Sequence, residues 1–524
     1  MSKEDESKIE IPDTQVAIAI AGSVDSGKSS YIGVTTSGVL DNGRGSARAG
    51  VAKHPHEVES GQTSDISTRI LNIKDKNKAI TFVDLCGHEK YLKTTVRGIA
   101  SYFPDYGCVI VSPQREVTDM TTQHYKMLIS HNIPIFIVVT RVDVSLEEQY
   151  NRTLKSIERM CKKSGSQKVD IINTYYTYHK QKSGEIDDEA FKKEKETAIN
   201  KVIENMDVNK NGKQTLVPVI TISNVDGYYI DVCKEVMGSL EPREIWNQTS
   251  TNNRVVKMFQ KKLNLKDDDI KSDFDGSLFY IDSAFNKQGV GLVVSGINRG
   301  KTIKIGDSLF IGPFGKEFIE VKIKGIHNND KTDIPELKNH SRGCCNIVVK
   351  DSKHKGLRKN NIKKGVIMGT KEMLSRICFR FKAAIFVFAE KSISIKPGYA
   401  PVINSGVINQ TARVLKDDNF KDIVTKDGIV VPNKVLGPGS VEPMWFKFTM
   451  RPEFIDKGSL LTFRSGKIHG VGMVIDVLPL ADDDDDKADL TKKNGGKKKQ
   501  KVKSTKAKGV VKAYKKVDIS DLTA

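Results

Sequence analysis

Gln15-Val-Ala-Ile-Ala-Ile-Ala21 runs straight into Gly22-Ser-Val-Asp-Ser-Gly27-Lys28-Ser29, with Ser30 and a helix-compatible run behind it. The first seven residues are almost wholly apolar, as in a strand buried on both faces of a sheet. The next eight fit the spacing G-x-x-x-x-G-K-S in the context that gives the pattern meaning, a strand before it and a helix after it. Without Cβ atoms at Gly22 and Gly27, the backbone can curl so that N–H groups from Val24, Asp25, Ser26 and Ser30 surround phosphate oxygens. Lys28 then reaches the β- and γ-phosphates, and the Ser29 hydroxyl binds Mg²⁺.

Working outward, residues 15–245 alternate short Val/Ile-rich runs with polar, helix-compatible stretches. Ala79–Val83, Gly107–Val111, Ile133–Val139 and Leu216–Ile222 join Gln15–Ala21 as expected strands of a parallel sheet covered by helices on both faces. A polar stretch at about 163–214 reads as an insertion, with a surface helix over Asp187–Asn205. From Ser277 the rhythm changes to short β-rich segments separated by Gly and Pro, which reads as two barrels or sandwiches meeting near Gly369–Arg376. The expected division is a tail at 1–13, an α/β domain at 14–245, a charged linker at 246–271, β domains at 272–370 and 371–479, and a tail at 480–524.

Three further patterns follow in order, each at the C-terminal end of an expected strand. Asp84-Leu-Cys-Gly87 ends the second run, where a carboxylate can hold a metal through water and the Gly87 N–H can meet a γ-phosphate. Thr140-Arg141-Val-Asp143 ends the fourth, and a carboxylate there accepts hydrogen bonds from N1 and N2 of guanine, a donor pair adenine lacks. Ser223-Asn224-Val225 ends the fifth, where backbone N–H groups can contact guanine O6. Each pattern alone is short, but four in register along one sheet edge specify a guanine-nucleotide switch. The fold class is thus an α/β P-loop GTPase domain with a mostly parallel sheet, followed by two antiparallel β domains, barrels or sandwiches by their spacing and β-barrel domains by the resemblance given next.

These motifs resemble those of translational GTPases of the elongation factor Tu and elongation factor 1-alpha kind. The more detailed resemblance is to the GTP-binding protein 1 and 2 family. It is carried by Val39-Leu-Asp-Asn-Gly-Arg-Gly-Ser-Ala-Arg48, His56-Glu-Val-Glu-Ser-Gly61, Phe82-Val-Asp-Leu-Cys-Gly-His88-Glu-Lys-Tyr-Leu-Lys-Thr-Thr95 and Val290-Gly-Leu-Val-Val-Ser-Gly296, within about 14–478. The resemblance implies that Thr63 closes over Mg²⁺ and the γ-phosphate, so that Ser29, Thr63 and Asp84 form the metal set. It also implies that His88, beside Gly87, orients the attacking water. Read chemically, Thr63 is a polar residue in a Gly/Ser-rich loop, and a His beside a Gly turn can equally be a surface or capping residue. Asp25 corresponds to a position that helps hold a monovalent cation, or else it stabilises its own loop. Two departures stand out. Thr140-Arg141 replaces the usual Asn-Lys, and Gln62 precedes Thr63 where elongation factors carry an apolar residue that could gate His88 together with Val24.

Composition bounds the partners. With 84 Lys plus Arg against 65 Asp plus Glu the net charge is +19, which favours a polyanion. Twelve lysines and no carboxylate lie between Lys492 and Lys516, a segment too poor in apolar residues to fold. It serves either for RNA attraction through phosphates or for solubility. The five carboxylates of Asp482–Asp486 lack the glycine turn of a calcium loop and read as a solvated linker. Seven cysteines without a Cys-x-x-Cys pair argue for a reducing, cytoplasmic setting. The N-terminus lacks a signal-peptide core, and no apolar run reaches membrane-spanning length, so no membrane is expected. By resemblance, the partners are aminoacyl-tRNA and the ribosome, with the chain a monomer. The alternatives are an RNA-decay or surveillance adaptor and, by fold analogy alone, a regulatory GTPase attached to a metabolic enzyme.

Overall fold

A computed structural model describes residues 14–51, 66–165, 167–206, 214–243, 254–315, 317–328, 332–350, 357–363, 365–387, 395–415, 423–424, 430–431, 436–437, 439–465 and 468–480. Gln62, Thr63, the acidic run and the lysine tail lie outside these residues. The α/β domain runs β1 (Thr14–Ala21), α1 (Lys28–Ser37), α2 (Ser46–Ala49), β2 (Ser67–Ile73), β3 (Lys78–Asp84), α3 (Leu92–Tyr102), β4 (Tyr106–Val111) and α4 (Asp119–Ser130). It continues with β5 (Ile135–Val139), α5 (Glu147–Gly165), β6 (Lys168–Ile171), α6 (Tyr175–Ser183), α7 (Asp188–Met206), β7 (Leu216–Thr221) and α8 (Ile230–Ser239). The sheet order is β2-β3-β1-β4-β5-β7-β6. All neighbours are parallel except the antiparallel edge pair β2–β3.

From Val16 to Ala21 the run is apolar because both faces of β1 are covered. Val16, Ile18 and Ile20 join one core with Tyr31 and Ile32 of α1 and Val236 of α8. Ala19 and Ala21 join the other with Ile99 of α3, Leu128 of α4 and Ile157 of α5. A fully buried Ile is worth roughly 1.5–3 kcal/mol over an exposed one, so a polar substitution at Ile18 or Ile20 would strike the strand that carries the phosphate loop. The five strands expected from apolar runs are all present, and they end on one edge of the sheet.

The stretch 163–214 does more than interrupt the domain. It supplies edge strand β6, paired with β7 from Lys168↔Leu216 to Ile171↔Val219. It also supplies α7, whose Ala198, Val202 and Met206 enter the core beneath the sheet. Beyond the α/β domain, α9 (Arg254–Leu263) lays Val255, Val256, Met258 and Phe259 against Ala384, Phe386, Val471 and Met473. The charged linker is therefore partly a docked amphipathic helix.

Two closed six-stranded antiparallel barrels follow. The first contains β8 (Leu278–Lys287), β9 (Gly291–Asn298), β10 (Ser308–Phe314), β11 (Glu317–His327), β12 (Arg342–Val349) and β13 (Ile367–Gly369). Its order is β10-β13-β8-β9-β12-β11, closed by β10–β11 pairing. The second contains β14 (Arg380–Val387), β15 (Val402–Ser405), β16 (Ile408–Val414), β17 (Val441–Phe448), β18 (Leu460–Ser465) and β19 (Ile468–Leu478), ordered β14-β17-β16-β15-β18-β19 and closed by β14–β19. Inward and outward residues alternate along β16, the period-2 mark of a wall with one wet face.

The end of α3 seats the first domain on the barrels. Arg342 donates to the Tyr102 carbonyl at 3.0 Å, pairs with Asp282 at 3.1 Å and lies over the Tyr102 ring. Phe103, in a left-handed turn with φ 46°, packs on Tyr280 and under Arg299. Gly406 of the second barrel approaches both Phe103 and Tyr280. The segment holding Gly87 and His88 thus leads directly into the helix that touches both barrels. Among the described residues, no helix is long and apolar enough to cross a membrane.

Candidate functional site

The loop after β1 has the conformation its glycines permit. Gly22 has φ 141° and Gly27 φ 93°. A Cβ at Gly22 would lie 2.4 Å from the Ile110 carbonyl oxygen, so any side chain there would force β1 and β4 apart. Ser26 Oγ donates to the Ser23 carbonyl at 2.9 Å, and Lys28 Nζ donates to the same oxygen at 2.8 Å. Burial lowers the Lys28 pKa below its ordinary value, against the pull of Asp84, Cys86 and Asp25. The lysine is thereby a desolvated cation folded back on its own loop, poised for an anion.

Val24, Asp25, Gly27, Lys28, Ser29 and Ser30 line one side of a pocket. Gly87 and His88, just beyond β3, line another, and Arg48 and Arg141 complete it. A Cβ at Gly87 would stand 2.6 Å from Lys28 Nζ and 2.9 Å from the Val24 nitrogen, so only glycine allows the two loops this approach. Ser29 Oγ donates to Asp84 Oδ2 at 3.0 Å, bringing two of the expected metal-set residues together; Thr63 lies outside the described residues. His88 is exposed, and its Nδ1 accepts from the Lys90 N–H at 3.1 Å. It is therefore both a cap of the short helical turn Glu89–Tyr91 and a pocket residue, and with Nδ1 accepting, the ring N–H is at Nε2.

Gly22, Ser26, Asp84, Thr140, Asp143, Ser223, Asn224 and Val225 are outside this lining, although several are tied to it. Thr140 Oγ1 donates to the Ser26 carbonyl at 2.9 Å, so the hydroxyl joins the loop after β5 to the phosphate loop. Asp143 sits in a short turn whose Val142 N–H reaches the Ile222 carbonyl at 3.4 Å. That contact brings the loops after β5 and β7 side by side. Ser223 Oγ accepts from the Val225 and Asp226 N–H groups, closing the last loop.

Sequence reading missed several supports. Asp25 is ion-paired with Arg115 at 3.0 Å, and Arg141 donates to Gln114, so the segment after β4 straps across both loops. Tyr178 of α6 donates to Asp226 Oδ2 at 2.7 Å, and Lys182 pairs with the same oxygen at 3.0 Å. None of these contacts has a local motif. His124 of α4 is also new: its Nδ1 accepts the Gly22 N–H at 3.2 Å.

Burial, with the Lys28 charge adding, holds the His124 pKa down to about 3, against an ordinary 6.5. Between those values the unfolded chain binds a proton that the folded chain refuses. This contribution favours folding fully above pH 6.5 and is lost as pH falls, at about 1.4 kcal/mol per pH unit. His124→Asn keeps an acceptor for Gly22 but cannot titrate. Urea unfolding of this variant at pH 7.5 and pH 5 is expected to show an acid loss about 2 kcal/mol smaller than the parent's. An unchanged loss would mean that His124 is not held neutral.

Residues 13–243 match the family model described as the Elongation factor Tu GTP binding domain. Over 489 residues the chain is 27% identical to GTP-binding protein 1 of Xenopus laevis, covering 88% of this chain and 64% of that protein. Over 496 residues it is 29% identical to GTP-binding protein 2 of Mus musculus, covering 89% and 71%. Residues 13–243 thus resemble the GTP-binding domain of elongation factor Tu, and the chain as a whole is similar to translational GTPases. Its fold is also that of a bacterial selenocysteine-specific elongation factor, with TM-score 0.58 at 15% identity over 92% of this chain and 62% of that one. The chain spans about two thirds of the length of these curated relatives, and what it shares with the solved structure is the fold alone.

Proposed function

We propose that this chain is a GTP-hydrolysing switch that binds aminoacyl-tRNA and acts on the ribosome. The observation that carries the proposal is the convergence of the phosphate loop with Gly87 and His88, next to an α3 helix whose far end rests on both barrels. Lys28 and the loop N–H groups hold the phosphates. Asp143 accepts from guanine, while Ser223, Asn224 and Val225 flank the base, and Arg141 offers it a flat cationic face. Ser29 and Asp84 present hard oxygen atoms suited to Mg²⁺, with Thr63 as the further ligand. When bound, that ion supplies positive charge against the β- and γ-phosphates. A monovalent cation beside Asp25 would share its carboxylate with Arg115.

Hydrolysis of this kind depends mainly on positioning and charge stabilisation. Gly87 registers the γ-phosphate, and its loss after hydrolysis releases the segment leading into α3. The chemistry thereby becomes a domain signal. Intrinsic turnover is slow and rises on the partner. The lysine tail adds salt-sensitive affinity for RNA, and the protein acts as a cytoplasmic monomer.

The test is binding of aminoacyl-tRNA in the presence of GTP, GDP and a non-hydrolysable analogue, repeated with deacylated tRNA and followed by GTP turnover with ribosomes. Tighter binding with GTP than GDP by about tenfold or more, together with ribosome-stimulated turnover, is the expected result, a difference of about 1.4 kcal/mol. Equal binding in both nucleotide states with no ribosome effect would sink the delivery role.

A further inference from the structure

We infer that Arg48 is a catalytic residue of this GTPase, an arginine supplied by the chain itself that contacts the γ-phosphate during hydrolysis. The inference rests on the GTPase reading above and adds a group to it. Arg48 lines the pocket shared by Lys28, Ser29, Gly87 and His88. It is half-buried and forms no ion pair among the described residues. An arginine that lines this pocket with no carboxylate partner among the described residues is suited to an anion whose charge changes during reaction.

The local fold explains how the arginine is held there. Asp41 is anchored by its N–H to the Asn224 carbonyl at 2.9 Å, in the loop after β7. The Asp41 carboxylate then accepts from the Gly45 N–H at 3.1 Å, Ser46 Oγ at 3.3 Å and the Ala47 N–H at 2.9 Å. Gly45, with φ 84°, turns the chain into α2, and the Ala47 carbonyl oxygen would stand 2.1 Å from a Cβ at Gly33. The α2 turn is therefore pressed directly on α1, the helix that the phosphate loop opens. Val51, buried behind it, donates its N–H to the Arg48 carbonyl at 2.9 Å and accepts from Arg69 at 3.1 Å. These contacts fix the backbone of Arg48 to the scaffold that fixes Lys28.

In the step proposed, the water oxygen attacks the γ-phosphorus and the bond to the β–γ bridging oxygen breaks. The electron pair of that bond leaves with GDP, and the water proton ends on inorganic phosphate. Arg48 transfers no proton. It donates N–H groups to the γ-phosphate and bridging oxygens as charge moves onto them, the role an arginine plays when supplied in cis in other GTPases.

The experiment compares the full-length parent, Arg48→Ala and Arg48→Lys in three measurements: single-turnover GTP hydrolysis, affinity for fluorescent GDP and GTP, and trapping of the GDP–aluminium fluoride complex. Arg48→Ala is expected to hydrolyse GTP about 100-fold more slowly, to keep nucleotide affinities within about threefold and to lose the aluminium fluoride complex. Arg48→Lys should fall between, because it keeps the charge without the fork. Normal GDP affinity in both variants shows that the fold is intact. A rate within threefold of the parent, or an affinity loss equal to the rate loss, overturns the catalytic role of Arg48. If the parent neither binds nor hydrolyses GTP, the GTPase reading itself fails. That outcome is separate from one in which the parent and Arg48→Ala hydrolyse alike.

Discussion

Exchanging Asp143 for asparagine is expected to weaken GTP binding about 100- to 1,000-fold and to erase preference over ATP. In the proposed base site the carboxylate would accept from guanine N1–H and N2–H, two charge-assisted bonds worth about 1.5–3 kcal/mol each. Asparagine keeps the shape, removes the charge and turns one acceptor into a donor facing a donor. The scaffold should not move, because Asp143 is positioned by buried Val142 and its contact with Ile222 rather than by its own carboxylate. Displacement of a fluorescent guanine nucleotide by GTP and ATP measures the effect. Unchanged affinity and unchanged selectivity would remove Asp143 from base recognition.

That prediction also tests the Thr140-Arg141 departure. Thr140 has one hydroxyl, and the structure uses it to join the loop after β5 to the Ser26 carbonyl. Arg141 adopts φ 61° and extends to Gln114. The two residues thus stitch loops together, leaving Asp143 as the group with the chemistry to distinguish guanine.

What was legible in the sequence follows from how burial writes itself into composition. A strand covered on both faces must be apolar at every position, so β1, β3, β4, β5 and β7 stand out as continuous runs and the loops at their ends can be placed. Edge strands lack that signature. In β2, Ser-Thr-Arg-Ile-Leu-Asn-Ile, and in β6, Lys-Val-Asp-Ile, polar residues interleave because at least one side is wet. This is also why 163–214 reads as an interruption when it contributes strand and core. The glycines were readable because each answers a local need, a positive φ at Gly27 or space for Lys28 at Gly87.

The missing parts of the site are long-range. Arg115 meets Asp25 across 90 residues of chain, and His124 meets Gly22 across 102. Neither pairing has a fixed spacing. Arg48 ends the stretch Val39–Arg48, but its place in the pocket with Lys28 depends on α2 packing against Gly33, which no local pattern encodes. Electrostatics behaves likewise: the large excess of basic residues pointed to a tail, whereas the cations that line the pocket are Lys28, Arg48 and Arg141.

Removing His88 should have the other large effect, on rate rather than affinity. His88→Ala is expected to leave GTP and GDP affinities within about threefold while lowering partner-stimulated hydrolysis roughly 100- to 1,000-fold. The direction follows from its position beside Gly87 on an exposed turn, where it lines the pocket and lies outside the core. Its Nδ1 is engaged as acceptor by the Lys90 N–H, so the ring N–H on offer is Nε2–H. It can hold the attacking water by donating to one lone pair while the other points at phosphorus. A glutamine amide can donate similarly, so His88→Gln should recover part of the rate lost in His88→Ala. A general base would require an unprotonated ring nitrogen toward water, and glutamine would then recover nothing. Single-turnover hydrolysis of parent, His88→Ala and His88→Gln separates the two mechanisms. Normal stimulated rates in both variants would exclude His88 from the reaction altogether.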